Sequence, residues 1–113
     1  MSAQDLDSTA RALVAEGKGI LAADESVPTL TKRFDALKIA STEDSRRDYR
    51  EMLCATPGAA VFISGVIMYD ETIRQKSSGG MPLADVLAKQ GILTGIKVDT
   101  GVKVLAGSPD EKI

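Results

Sequence analysis

The sequence predicts an α/β fold built around a parallel sheet. Two features of the chain carry that reading. Three short, almost continuously apolar segments, Gly19 to Ala23, Ala60 to Met68 and Ile92 to Val98, alternate with segments of helical periodicity. Chemistry-bearing residues then gather just past two of those apolar segments, where loops leave a parallel sheet.

The elements follow in order. Ser2 to Glu16 reads as a helix with Leu6, Ala10, Leu13 and Val14 on one stripe and Gly17 as its stop. Gly19 to Ala23 is short and wholly apolar, as expected of a strand buried on both faces. Pro28 suits the first turn of the next helix, where its missing N–H costs nothing, and Leu30, Phe34 and Leu37 recur at i, i+4 and i+7. A third helix runs from about Thr42 to Thr56. Ser41 or Thr42 can cap it, Glu43 and Asp44 favour its N-terminal end, and Tyr49, Met52 and Leu53 read as its inward stripe. Arg46, Arg47 and Arg50 crowd another face of that helix.

Ala60 to Met68 is the second strand, β-branched and apolar except at Ser64-Gly65, and Asp70 to Lys76 follows as a short helix or turn. Ser77-Ser78-Gly79-Gly80 is a flexible connection, of a kind that also borders ligand sites. Pro82 opens a further helix with Leu83, Val86 and Leu87 inward and Gly91 at its end, and Ile92 to Val98 is the third strand. Three parallel strands alone would leave two unpaired edges. A chain of 113 residues buries about 65% of its unfolded surface, yet one side of this sheet is undersupplied with cover. The pattern is that of a piece of a barrel.

Composition narrows the function classes. A net charge of −2 and 43% hydrophobic residues describe ordinary cytoplasmic protein, one domain or part of a larger one. Phe34, Tyr49, Phe62 and Tyr69 are the only aromatics and the charges alternate in sign, which argues against nucleic-acid binding. The N-terminus is polar, and no apolar run approaches the roughly 20 residues of a membrane span. Cys54 is the single cysteine and falls in a helical pattern, so it reads as a buried structural thiol. With no histidine, any acid–base chemistry here falls to Asp, Glu, Lys or Tyr, and the commonest transition-metal ligand is missing.

Gly17-Lys18-Gly19-Ile20-Leu21-Ala22-Ala23-Asp24-Glu25-Ser26 delivers two carboxylates from an apolar strand into a turn that opens a helix. Asp24 and Glu25 are either N-terminal charges stabilising that helix or a proton-transfer and lysine-orienting pair. Lys97 interrupts an apolar strand. Alternation puts it on one side with Leu93, Gly95 and Asp99, as an ion-paired structural amine or as a desolvated base or nucleophile of lowered pKa. Ser26, Thr29, Lys32 and Arg33 surround the same junction, where hydroxyls, backbone N–H groups and a guanidinium can cradle a phosphate. Arg33 and Arg46-Arg47 are equally readable as solvated helix surface. The residues point weakly to an anionic carbonyl substrate.

Taken together, Leu13 to Ser26, Arg46-Arg47-Asp48-Tyr49-Arg50, Gly65-Val66-Ile67 with Glu71-Thr72 and Gln75-Lys76, and Gly95-Ile96-Lys97-Val98-Asp99 resemble the N-terminal region of class I fructose-bisphosphate aldolases. The likeness covers nearly the whole chain in the same order. It implies a TIM (β/α)8 barrel, with residues 1–113 as the N-terminal part of a single barrel domain holding roughly its first three β/α units. It further implies reversible cleavage of fructose 1,6-bisphosphate through a lysine Schiff base, with no metal or other cofactor, in a cytoplasmic homotetramer. By the same resemblance Asp24 assists proton movements around the carbinolamine, and Lys97 is a charged active-site lysine supporting Asp24 and the substrate. Ser26, Thr29, Arg33 and Arg46 would contact substrate phosphate or hydroxyl groups. Thr29 stands where the family has a serine, and Val27-Pro28 where it often has Thr-Gly. The resemblance places the Schiff-base lysine on a later strand, so Lys97 is not that nucleophile, and residues 1–113 alone are expected to show no turnover. A non-catalytic phosphosugar-binding or scaffolding role is the alternative.

Overall fold

The computed structural model describes residues 2–113. Helix α1 (Ala3–Leu13) opens with Ser2 as its cap, in a reciprocal pairing with Asp5. Strand β1 (Gly19–Ala23) leads into α2 (Val27–Ala36) and α3 (Glu43–Cys54). A 3-10 turn (Ala59–Val61) precedes β2 (Ile63–Met68), and α4 (Asp70–Ile73) and α5 (Leu83–Ala88) lie between β2 and β3 (Leu93–Ile96). A terminal hairpin pairs β4 (Val104–Leu105) with β5 (Ser108–Lys112).

The first three strands form one parallel sheet in the order β1-β2-β3. Its register aligns Leu21, Val66 and Thr94 in one row and Ala23, Met68 and Ile96 in the next. The face that carries Val66 and Met68 meets the helices. There the core gathers Ala23, Cys54, Val66, Met68, Leu83, Leu87 and Ile92, with Met68 and Leu83 sealed from solvent. Each such aliphatic side chain contributes roughly 1.5–3 kcal/mol on burial. Between those rows, Ile20 aligns with Gly65 and Leu93, and Ala22 with Ile67 and Gly95. This second face is apolar but open: Ile20, Ala22 and Leu93 are exposed, and α1 borders it through Thr9 and Leu13. Leu13 packs closely on Gly65 at that border: a Cβ there would come within 2.6 Å of Leu13 Cδ2, so the leucine side chain would have to shift.

Several sequence expectations are revised. The first helix ends at Leu13, not Glu16, and of its apolar stripe only Leu13 is partly covered, against the sheet, whereas Leu6 and Val14 are exposed. Leu37 lies past the end of α2 and is 69% exposed. The second strand starts at Ile63, because the chain first turns through Gly58 at φ +83° and the 3-10 segment. Neither outer strand is buried on both faces; β3 spans only Leu93–Ile96, and Ile96 and Val98 are exposed. Helix α3 presents a different face inward. Arg46, Arg50 and Cys54, at i, i+4 and i+8, are buried, while Met52 is 57% exposed and Tyr49 and Leu53 are half-buried.

The Ser77–Gly80 connection is tied down as a turn: Ser77 N donates to Met81 O, Gly80 N to Ser77 O, and Glu51 accepts from Ser78. The terminal hairpin has no counterpart among the sequence expectations. It turns through Gly107 at φ +79°, and its strands are short and mostly polar. Among the described residues, no helix is long and apolar enough to cross a membrane.

Candidate functional site

A cleft of about 900 Å³ lies at the C-terminal end of the parallel sheet. Each strand contributes what immediately follows it. Asp24, Glu25 and Ser26 come after β1, Tyr69 and Asp70 after β2, and Lys97 to Gly101 after β3, with Thr29 and Arg33 added by α2. Parallel strands align all their outgoing loops at one end, so residues distant in sequence converge there.

Lys97 continues the ladder by one residue, its N–H donating to Met68 O at 2.8 Å. Its ammonium then reaches across the open face to Asp24 Oδ2 at 3.2 Å, with Asp99 Oδ2 at 3.4 Å. The hydrogen bond from Lys97 to Asp24, and secondarily that to Asp99, raises the Lys97 pKa above its ordinary value. Of the two accounts open in the sequence, the ion-paired amine is the observed one. A charged lysine held between two carboxylates is a proton donor and an electrostatic anchor, the reverse of a neutral nucleophile.

Glu25 points elsewhere. Its Oε2 accepts from Arg33 Nη1 at 2.5 Å and from the Tyr49 hydroxyl at 3.1 Å. Its carboxylate therefore holds a side chain of α2 and one of α3 in addition to any effect on a helix end. Ser26 caps α2, accepting from Thr29 N at 3.4 Å, and its hydroxyl lies 3.1 Å from that of Thr29. Two hydroxyls and the Arg33 guanidinium thus border one end of the cleft, at the N-terminal end of α2.

Asp24, Ser26, Thr29, Arg33 and Lys97 are brought together; Arg46 is not among the cleft residues. Its guanidinium makes a two-pronged contact with Glu71, Nε to Oε1 at 2.8 Å and Nη2 to Oε2 at 3.0 Å, and Nη1 donates to Ser41 Oγ. Arg50 donates to Glu71 Oε1 at 2.6 Å and to Gln75 Oε1 at 2.9 Å, and reaches the main-chain carbonyl of Glu25 at 3.4 Å. The Arg46 hydrogen bonds, reinforced by Arg50, hold the Glu71 carboxyl below its ordinary pKa. This buried cluster underlies the loop that carries Asp24 and Glu25.

Sequence reasoning does not single out Tyr69, Asp70 and Thr100. Their signal is position alone, each following an apolar strand. The helical pattern marks Tyr49 only as core, and nothing local in the sequence reveals its link to Glu25, 24 residues away. Among the described residues no group of three or more Cys, Asp or Glu side chains is placed to hold a metal ion.

The family model for fructose-bisphosphate aldolase class-I matches residues 5–113. A probable fructose-bisphosphate aldolase class 1 of Xanthomonas campestris pv. campestris is 52% identical over 113 residues, all of this chain and 34% of the relative. The fructose-bisphosphate aldolase of Drosophila melanogaster is 53% identical over 108 residues, 95% of this chain and 30% of that protein. Among solved structures, the Plasmodium falciparum aldolase in complex with TRAP and a small molecule inhibitor superposes with a TM-score of 0.90 at 45% identity. That match covers 96% of this chain and 31% of the other. The chain thus spans about a third of the length of the curated relatives it matches. Its fold is that of the opening β/α units of a TIM barrel.

Proposed function

The chain belongs to the class I fructose-bisphosphate aldolase family, and from that premise we propose that residues 1–113 supply the Asp24–Lys97 half of a Schiff-base lyase site. The reaction is reversible cleavage of fructose 1,6-bisphosphate to dihydroxyacetone phosphate and glyceraldehyde 3-phosphate, a step of glycolysis and gluconeogenesis in the cytoplasm. The observation that carries this reading is the 3.2 Å Asp24–Lys97 pair at the ends of two parallel strands, inside a cleft bordered by Arg33 and the first turn of α2.

Asp24 moves protons at the carbinolamine and at the substrate hydroxyl during carbon–carbon cleavage, a role suited to a carboxylate. Lys97, kept charged by its two carboxylate neighbours, fixes Asp24 and faces the developing negative charge of the substrate. Arg33, with Ser26 and Thr29, takes a substrate phosphate. Arg46 is assigned a supporting role in place of a substrate contact, because Glu71 and Ser41 already occupy its donors. None of the lysines in residues 1–113 is assigned the Schiff base. The domain is one TIM barrel, to which these residues contribute the N-terminal part, and the assembly is a homotetramer.

The test uses a protein of the relatives' full length that carries these residues. Asp24→Asn and Lys97→Met should each lower kcat by roughly 100-fold or more while borohydride still traps substrate on the enzyme. Wild-type kcat in either variant would sink the reading. The 113-residue chain alone should bind inorganic phosphate without cleaving fructose 1,6-bisphosphate, and measurable turnover would show that the assignment of nucleophile is wrong.

A further inference from the structure

Tyr49 lies outside the cleft lining, yet its hydroxyl donates to the same carboxylate oxygen that accepts from Arg33. We infer that Tyr49 is a positioning residue for the cleft: α3 grips Glu25, and Glu25 in turn aims Arg33 at an incoming phosphate. The inference rests on the phosphate role proposed above for Arg33.

An ion pair with an exposed arginine is ordinarily loose and worth little. This one has an asymmetric construction. Arg33 is 57% exposed, but Glu25 is only 14% exposed and is gripped at two points. Tyr49 holds its carboxylate at 3.1 Å, and Arg50 Nη2 reaches its main-chain carbonyl at 3.4 Å. Tyr49 is itself fixed by an edge-on contact with Phe34, ring centroids 5.9 Å apart. Burial, and then the Glu25 carboxylate, raise its pKa, so the phenol stays a donor. Arg50 is anchored behind it by Glu71 and Gln75.

Glu25 takes Arg33 Nη1. A guanidinium has five N–H donors in a planar fork, so the others remain for a ligand in the cleft. Holding the arginine before the ligand arrives removes part of the ordering cost of binding. The phenolic hydroxyl is the one group in this chain of contacts that can be deleted without changing charge or ring packing.

The experiment titrates inorganic phosphate into the full chain and follows the Arg33 side-chain 15N–1H resonance. Tyr49→Phe should weaken phosphate affinity by about fivefold, the worth of one net hydrogen bond, and broaden the Arg33 resonance. Unchanged affinity together with an unchanged Arg33 resonance overturns the inference. Arg33→Ala separates the positioning from the phosphate role: wild-type affinity in that variant refutes the phosphate role itself, whereas lost binding there with an unaffected Tyr49→Phe refutes only the positioning. Should Tyr49→Phe fail to fold by circular dichroism, Glu25→Gln serves instead. It leaves Tyr49 an amide oxygen to donate to but removes the charge that holds Arg33. Broadening of the Arg33 resonance supports the inference, and a resonance as sharp as wild type overturns it.

Discussion

Replacing Glu71 by glutamine tests the cluster beneath the cleft most directly. Its carboxylate accepts three hydrogen bonds from two guanidiniums whose side chains are 11% and 3% exposed. The amide of the Glu71→Gln variant would offer one carbonyl oxygen in place of two, and an NH2 that donates toward groups which also only donate. Two buried cations would then face each other without a hydrogen-bonded counter-charge, Glu43 acting on Arg46 only through space. Removing one partner of a buried pair costs about 3–5 kcal/mol, and the 23% exposure of Glu71 argues for the lower end, about 3 kcal/mol. Against a total stability of about 5–15 kcal/mol that is a large fraction. With a urea slope of about 2 kcal/mol per molar, the unfolding midpoint at neutral pH should fall by about 1.5 M.

The pH dependence follows from the direction of the Glu71 shift. Its folded-state pKa lies below the ordinary 4.5, so the unfolded chain takes up the proton first as the solution is acidified. The stabilisation is therefore complete above the unfolded value and is lost as pH falls through the folded one. The difference between Glu71→Gln and wild type should accordingly shrink on acidification below 4.5. A neutral-pH loss under about 1 kcal/mol would refute the reasoning, as would a loss that stays constant down to about pH 2.

Two further outcomes are expected. Asp24→Asn removes the main cause of the raised Lys97 pKa, so the Lys97 ammonium, followed by NMR, should titrate at lower pH than in wild type; an unmoved titration would mean that Asp99 alone holds it. Cys54, whose thiol burial pushes up to about 11, should react with a disulfide reagent only after denaturant exposes it, and rapid modification of the native chain would contradict its place in the core.

The parts of the fold that were legible in the sequence are those decided locally. The bounds of β1 and the inward Leu30 and Phe34 follow from short-range pattern, and the structure reproduces them; of the two candidate caps for α3, Ser41 and Thr42, it selects Thr42. The convergence of Asp24 and Lys97 was legible in part, through strand alternation and the alignment of strand ends. The inward face of α3 was not. Arginines at core positions contradict a hydrophobic pattern, and what makes them tolerable is Glu71, which lies 25 residues from Arg46 and 21 from Arg50. The open second face of the sheet also misled the pattern. Ile20 and Leu93 carry the apolar character of buried strand positions, but residues 2–113 place little against them.

Sequence separation also sets an order in which the site can assemble. The ties from α3 to Glu25, Glu71 and Gln75 each close loops of 21–25 residues, whereas the Asp24–Lys97 contact closes one of 73. The longer closure costs roughly 1 kcal/mol more in chain entropy, and during synthesis Lys97 emerges only after every member of the arginine cluster has been made. The helical buttress can therefore settle while the cleft still lacks its cation. The loop bearing Asp24 would then be held in place when Lys97 arrives, and the pairing at the heart of the site becomes a late folding event that earlier contacts have already templated.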